Sequence, residues 1–139
     1  MSYINKCFLM GNLGQHPEIQ DFQNGDRVAK LSLATAQSYK DKNGNWQKLT
    51  EWHKIVIYNQ NIVNKIVGSS LTVGSKIYVE GSVKTRQYTD SNNVKKSTTE
   101  VVLGKYDGTL LFVQIADNGT QTEKHKQENI ETDVDNIPF

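Results

Sequence analysis

The chain has a single cysteine, Cys7, among its 139 residues. That excludes an intramolecular disulfide and a multi-cysteine zinc site, and it suits a reducing compartment. Cys7 lies within Cys7-Phe8-Leu9-Met10, a setting for a core thiol rather than a nucleophile. No apolar run approaches the length of a membrane span, so a membrane-embedded protein is not expected. The residues Met1 to Lys6 contain neither a secretory apolar segment nor an Arg- and Ser-rich transit peptide, and the expectation is a cytoplasmic protein. His16, His53 and His125 are dispersed without ligand spacing, so no metal site is expected, and nothing calls for a cofactor. Glu51, Glu80 and Glu100 belong to no carboxylate cluster, no phosphate-binding glycine motif occurs, and no catalysis is expected.

The net charge of +1 conceals two unlike parts. Residues 1–115 carry 14 Lys and Arg against 9 Asp and Glu, a charge of +5, whereas residues 116–139 carry 2 against 6, a charge of −4. A basic body joined to an acidic tail suggests a polyanion-binding surface with a separate partner-binding segment. The tail is almost wholly polar and buries too little to offset the entropy of ordering, so disorder is expected over a linker at 116–132. It ends in a different kind of segment, 133–139, where Asp133 and Asp135 precede Ile137, Pro138 and Phe139. An apolar plug behind acids is built like a docking peptide: Phe139 fills a pocket while the carboxylates meet Lys or Arg around it.

The body, 1–115, reads as β structure. Tyr3 to Leu13 is rich in aromatic and branched residues, and Arg27 to Ala36 alternates polar with apolar. Trp46 to Tyr58 forms a third strand, after a charged hairpin turn centred on Asn43-Gly44. Ile62, Val63, Ile66 and Val67 recur at helical spacing, giving one short helix over 61–67 that breaks near Gly68. Lys76 to Thr89 follows, with Gly81 marking a bend or bulge, then Lys96 to Leu103 and a short final strand from Thr109 to Ile115. Five long strands with a helix between the third and fourth is the order of an all-β, five-stranded oligonucleotide-binding barrel, the OB-fold.

Aromatic residues make up only 9% of the chain, so their placement matters. Tyr39 precedes the first hairpin turn, Trp46 and Trp52 lie on the returning strand, Tyr58 ends it, and Tyr88 precedes the second turn. Lys40, Lys42, Lys48, Lys54, Lys84, Arg86, Lys95 and Lys96 interleave with them. Trp52, Lys54, Val56 and Tyr58 share a parity and hence a face, as do Lys84, Arg86 and Tyr88. Single-stranded nucleic acid calls for this combination: unpaired bases stack on Trp and Tyr at about 1–3 kcal/mol each. Phosphates meet Lys and Arg, making binding salt-dependent, and neither contact reads a base edge. The same rings could instead form core or cross-strand pairs, Trp46 more readily than Tyr39 or Tyr88.

Several segments together resemble the bacterial single-stranded-DNA-binding protein family across nearly the whole chain. They are Asn5-Lys6 through Leu9-Met10-Gly11-Asn12-Leu13-Gly14, Leu33-Ala34-Thr35-Ala36, Thr50-Glu51-Trp52-His53-Lys54, Val73-Gly74-Ser75-Lys76 through Gly81, Lys84-Thr85-Arg86, and the terminal Ile137-Pro138-Phe139 behind its acids. The resemblance implies a non-catalytic OB-fold protein, a homotetramer around which single-stranded DNA wraps, located in the bacterial nucleoid. It implies stacking by Tyr39, Trp52, Tyr58 and Tyr88, and phosphate contacts by Lys6, Lys54, Lys84 and Arg86. It gives the tip, Asp133 to Phe139, the recruitment of replication, recombination and repair proteins. His53 faces away from Trp52, and the resemblance makes it a subunit contact rather than a core histidine. The chain departs from the family in having Tyr39 and Tyr88 where Trp is typical, and a short linker without a Gly-, Gln- and Pro-rich run. Asp133, Asp135 and Asn136 stand where three consecutive Asp are common.

Overall fold

A computed structural model describes residues 2–116. Its strands are β1 (Cys7–Leu13), β2 (Glu18–Asp21), β3 (Arg27–Lys40), β4 (Trp46–Ile57), β5 (Lys76–Thr89), β6 (Lys95–Leu103) and β7 (Thr109–Gln114), with α1 (Gln60–Val67) between β4 and β5. Five of the strands close into a barrel along the path β1–β3–β4–β6–β5, with β1 pairing back onto β5. Every seam is antiparallel except β4–β6, a short parallel stretch from Ile55↔Val101 to Ile57↔Leu103. β7 adds to β5, and β2 adds to β3.

The periodicity of β4 explains its two halves. Ile55 and Ile57 enter the main core with Leu33, Ile77, Val79, Val101 and Leu103. Val56 points the other way and is still buried, against Val28 and Val102 on the outer wall. A strand covered on both faces is apolar without alternation, which is why Ile55-Val56-Ile57 is a continuous run. Each fully buried Ile or Leu contributes roughly 1.5–3 kcal/mol. α1 presents Val63 and Ile66 to the same core, its N-terminus capped by the Asn59 side chain, which accepts the N–H groups of Asn61 and Ile62. Cys7 packs half-buried against this core, as a structural thiol should.

The architecture matches the expected five-stranded barrel with one helix. The differences are local. The first strand begins at Cys7 rather than Tyr3, because Tyr3 and Ile4 are exposed. β2 was not foreseen; four residues are too few for a period-2 pattern to declare itself, and the strand exists because Glu18–Asp21 pairs with Arg27–Lys30 across a tight turn. β3 runs on to Lys40, four residues past the expected end, since polar residues suit a ribbon that has left the barrel. Gly81 sits where β5 changes partner from β1 to β6, while the register shift in β5 falls at Lys76/Ile77. The expected linker and the tip residues Asp133, Asp135, Ile137, Pro138 and Phe139 lie outside the described residues.

Candidate nucleic-acid interface

Two ribbons leave the barrel from the parallel seam. One is β3–β4, paired from Ala29↔Ile57 out to Lys40↔Trp46; the other is β5–β6, paired from Ser82↔Val102 out to Thr89↔Lys95. Because partners across a ladder share a face, the registers decide what each surface displays. The outer valines Val28, Val56 and Val102 mark one surface. Along β3–β4 that surface continues through Lys30, Ser32, Lys54, Ala34, Trp52, Lys48, Lys40 and Trp46. Along β5–β6 it continues through Glu100, Lys84, Arg86, Thr98, Tyr88 and Lys96.

The candidate stacking rings are open to solvent: Trp52 is 59% exposed, Tyr39 44%, Tyr58 41% and Tyr88 40%. Trp52 and Tyr88 belong to the continuous outer surface, and Tyr58, the residue after β4, continues the parity of Lys54 and Val56. Tyr39 does not: its register partner is Gln47, so it projects from the opposite face of the β3–β4 ribbon, together with Leu49 and Glu51. A strand touching both Tyr39 and Trp52 would have to pass around that ribbon. Trp52 packs closely over Gly14, where any Cβ would overlap the indole ring. Glycine there is what lets the ring rest against the barrel with its other side in water.

The cations converge at the base of the two ribbons. A cleft of about 330 Å³ is lined by Lys30, Ser32, Lys54, Arg86 and Glu100 among others. Lys54 Nζ donates to Thr98 Oγ1 at 3.2 Å, bridging the ribbons. Arg86 Nε donates to both carboxylate oxygens of Glu100, at 3.2 and 3.3 Å. Glu100 is buried while Arg86 is exposed, so the carboxylate anchors the guanidinium from below. The Arg86 guanidinium carbon also lies 5.9 Å from the centre of the Tyr88 ring. Lys84, the register partner of Glu100, lies on the same surface. Lys6 precedes β1, beside Asn5, whose side chain clamps the backbone of Val83 through two hydrogen bonds of 2.9 Å.

His53 faces the barrel side of β4, as the parity argument requires, and its Nε2 lies 2.9 Å from Thr35 Oγ1. A separate exposed apolar surface runs over Phe8, Met10 and Leu111, where Met10 and Leu111 flank Tyr78 on β5. The described residues contain no group of three or more His, Cys, Asp or Glu able to hold a metal ion. None of the described helices is long and apolar enough to cross a membrane.

Residues 4–109 match the Single-strand binding protein family. The chain belongs to that family. It is 39% identical to the single-stranded DNA-binding protein of Rickettsia typhi over 127 residues, 89% of this chain and 83% of the relative. It is equally 39% identical to that of Rickettsia prowazekii over 121 residues, 86% of this chain and 79% of the relative. Among solved structures it is similar to the Plasmodium falciparum SSB in complex with ssDNA, with a TM-score of 0.75 and 38% identity, covering 82% of this chain and 98% of that one. A deletion mutant of the Thermus aquaticus single-stranded DNA binding protein shares the fold at 24% identity, with a TM-score of 0.60, covering 79% and 51%. The family is non-catalytic and DNA-binding.

Proposed function

We propose that this chain binds single-stranded DNA without catalysis and with little sequence preference, shielding exposed strands during replication, recombination and repair. The observation that carries this reading is the continuous outer surface on which Trp52, Tyr58 and Tyr88 alternate with Lys54, Lys84 and Arg86. Rings of this kind offer faces to unpaired bases, and duplex DNA has no such faces to give in return. Tyr39 extends the stacking set to the other side of the β3–β4 ribbon, and Lys6 adds a phosphate contact. The relative solved with ssDNA supports the reading.

The assembly proposed is a cytoplasmic homotetramer, with His53 at a subunit contact and the exposed apolar surface of Phe8, Met10 and Leu111 as a face that a second copy would cover. Residues 1–115 form the binding domain, 116–132 the linker and 133–139 the docking tip, where Asp133, Asp135, Ile137, Pro138 and Phe139 engage replication, recombination and repair proteins.

Titrating the protein with oligo-dT while following tryptophan emission, at several salt concentrations and beside light scattering, tests the binding. Saturable quenching that weakens with salt is expected; an unchanged emission with no bound oligonucleotide would sink the reading. Deleting Ile137-Pro138-Phe139 should leave DNA affinity intact or slightly raised and abolish partner capture. Full capture after the deletion would refute the docking role.

A further inference from the structure

We infer that Trp46, with Lys40 and Lys48 beside it, forms an additional base-stacking station far out on the β3–β4 ribbon. The inference rests on the single-strand reading above and lengthens the path of the bound strand.

Trp46 is 63% exposed, more than any of the four rings assigned above. It is the first ladder residue after the turn, its register partner is Lys40, and the Lys40 ammonium sits 5.7 Å from the ring centre. Trp52 lies six residues along the same strand and on the same face, a separation of about 20 Å at the rise of a β-strand. Between them Lys48 and Thr50 occupy that face, and Ser38 and Ala36 lie opposite. This face of the ribbon therefore carries two tryptophans and two lysines with no carboxylate from Trp46 to Trp52.

Asp41, the acid that follows Lys40 in the turn, is turned elsewhere. Asp41 accepts the backbone N–H groups of Asn43 and Asn45 with Oδ1, and Oδ2 accepts the side-chain amide of Gln47, which lies on the opposite face. A tryptophan bordered by ammonium groups that form no ion pair among the described residues suits an anion with a flat aromatic part, such as a nucleotide, rather than an apolar protein surface. An apolar partner would have to desolvate Lys40 and Lys48, which costs free energy that a phosphate would return.

Two variants test this. Trp52→Phe leaves Trp46 as the sole tryptophan, because the chain has two. Its emission should be quenched saturably by oligo-dT of about 16 nucleotides, the upper end for one such barrel. Trp46→Ala should bind a dye-labelled oligo-dT, followed by anisotropy, roughly fivefold or more weakly, the lower bound for losing one stacked base. Trp46→Tyr should recover most of the loss. An unchanged affinity in Trp46→Ala overturns the inference whatever the emission does. If light scattering then shows a smaller particle, the ring is a contact between copies instead. Should the labelled oligonucleotide fail to bind the unaltered chain, the single-strand reading falls and this inference with it.

Discussion

In the β3–β4 ribbon, Asp41 Oδ1 accepts the N–H groups of Asn43 and Asn45 at 2.9 and 2.8 Å; in the β5–β6 ribbon, Asp90 Oδ1 accepts those of Asn92 and Val94, both at 2.9 Å. The backbone repeats as well: Gly44 N–H reaches the Asp41 carbonyl at 3.0 Å, and Asn93 N–H the Asp90 carbonyl at 3.0 Å. Gly44 and Asn93 hold the one left-handed position of each turn, at φ +83° and +63°. The surfaces built on this shared turn differ. β3–β4 displays tryptophans among lysines. β5–β6 displays the smaller ring of Tyr88 and ties two of its cations down, Arg86 to Glu100 and Lys96 to Asp90 at 3.3 Å. One ribbon is specialised for π-surface, the other for charge held at fixed points.

Ring removal should separate the ribbons most. Trp52→Ala is expected to weaken oligo-dT binding by about 1–3 kcal/mol, with Tyr88→Ala at the low end of that range because tyrosine offers less stacking area. Neither change should alter the melting temperature much, since both rings are exposed. Equal affinity in both variants and the parent would place the stacking surface elsewhere. Next in size is the charge side of the comparison. Arg86→Ala should lower the slope of log affinity against log salt by about 0.7, the loss of one phosphate contact on a single strand, whereas Trp52→Ala should leave that slope unchanged. A salt titration in which Trp52→Ala flattens the slope and Arg86→Ala does not would invert the assignment.

The barrel was legible in the sequence because strands such as β3 bury one face and so alternate, while β4 ends in the continuous apolar run Ile55-Val56-Ile57, and α1 was legible from Ile62, Val63, Ile66 and Val67 at helical spacing. What stayed hidden depends on pairing register, which no local pattern states. Tyr39 and Trp52 sit at opposite ends of one hairpin in sequence, yet only the register Tyr39↔Gln47 reveals that they occupy opposite faces. The packing of Trp52 over Gly14 joins residues 38 positions apart through the barrel's closure. Trp46 was visible as a candidate but could equally have been a core ring; its exposure depends on how far β3–β4 projects beyond the barrel. The Arg86–Glu100 pair was also not read, although Thr98-Thr99-Glu100 follows the second turn at a distance that places the acid opposite Lys84. Counting back from the turn in both strands would have found it.

The turns themselves allow a smaller test. At φ +83°, Gly44→Ala should cost about 1–2 kcal/mol in a denaturant titration, because a Cβ in the left-handed region meets the following carbonyl. Asn93→Gly goes the other way geometrically, but asparagine already tolerates this region, so the change should stay within about 0.5 kcal/mol. A large cost for Asn93→Gly would mean that the asparagine side chain does more than occupy the left-handed position, and the two turns would not be equivalent in the way their hydrogen bonds indicate.

The smallest expected effect is acid-induced, and it distinguishes the ribbons by salt. The Asn45 N–H, then the side-chain amide of Gln47, hold the Asp41 carboxyl below its ordinary 3.8. The Val94 N–H, followed by that of Asn92 and the Lys96 ammonium, do the same for Asp90. In each case the folded state binds a proton less readily than the unfolded chain. The stability each carboxylate contributes is therefore full above 3.8 and is lost as pH falls through the lower folded value. Both turns should loosen as pH falls below 3.8, read by amide exchange at Asn45 and Val94. Only Asp90 draws part of its shift from an exposed ion pair, which salt screens. Raising the ionic strength should thus bring the midpoint at Val94 upward, toward 3.8, and leave that at Asn45 nearly in place. Asp90→Asn retains an oxygen acceptor and should abolish the titration at Val94 alone. A midpoint at Asn45 that moves with salt as far as the one at Val94 would show that the lysines of the β3–β4 ribbon, Lys40 and Lys48, reach the Asp41 carboxylate after all, and would remove the basis for treating that face as open to phosphate.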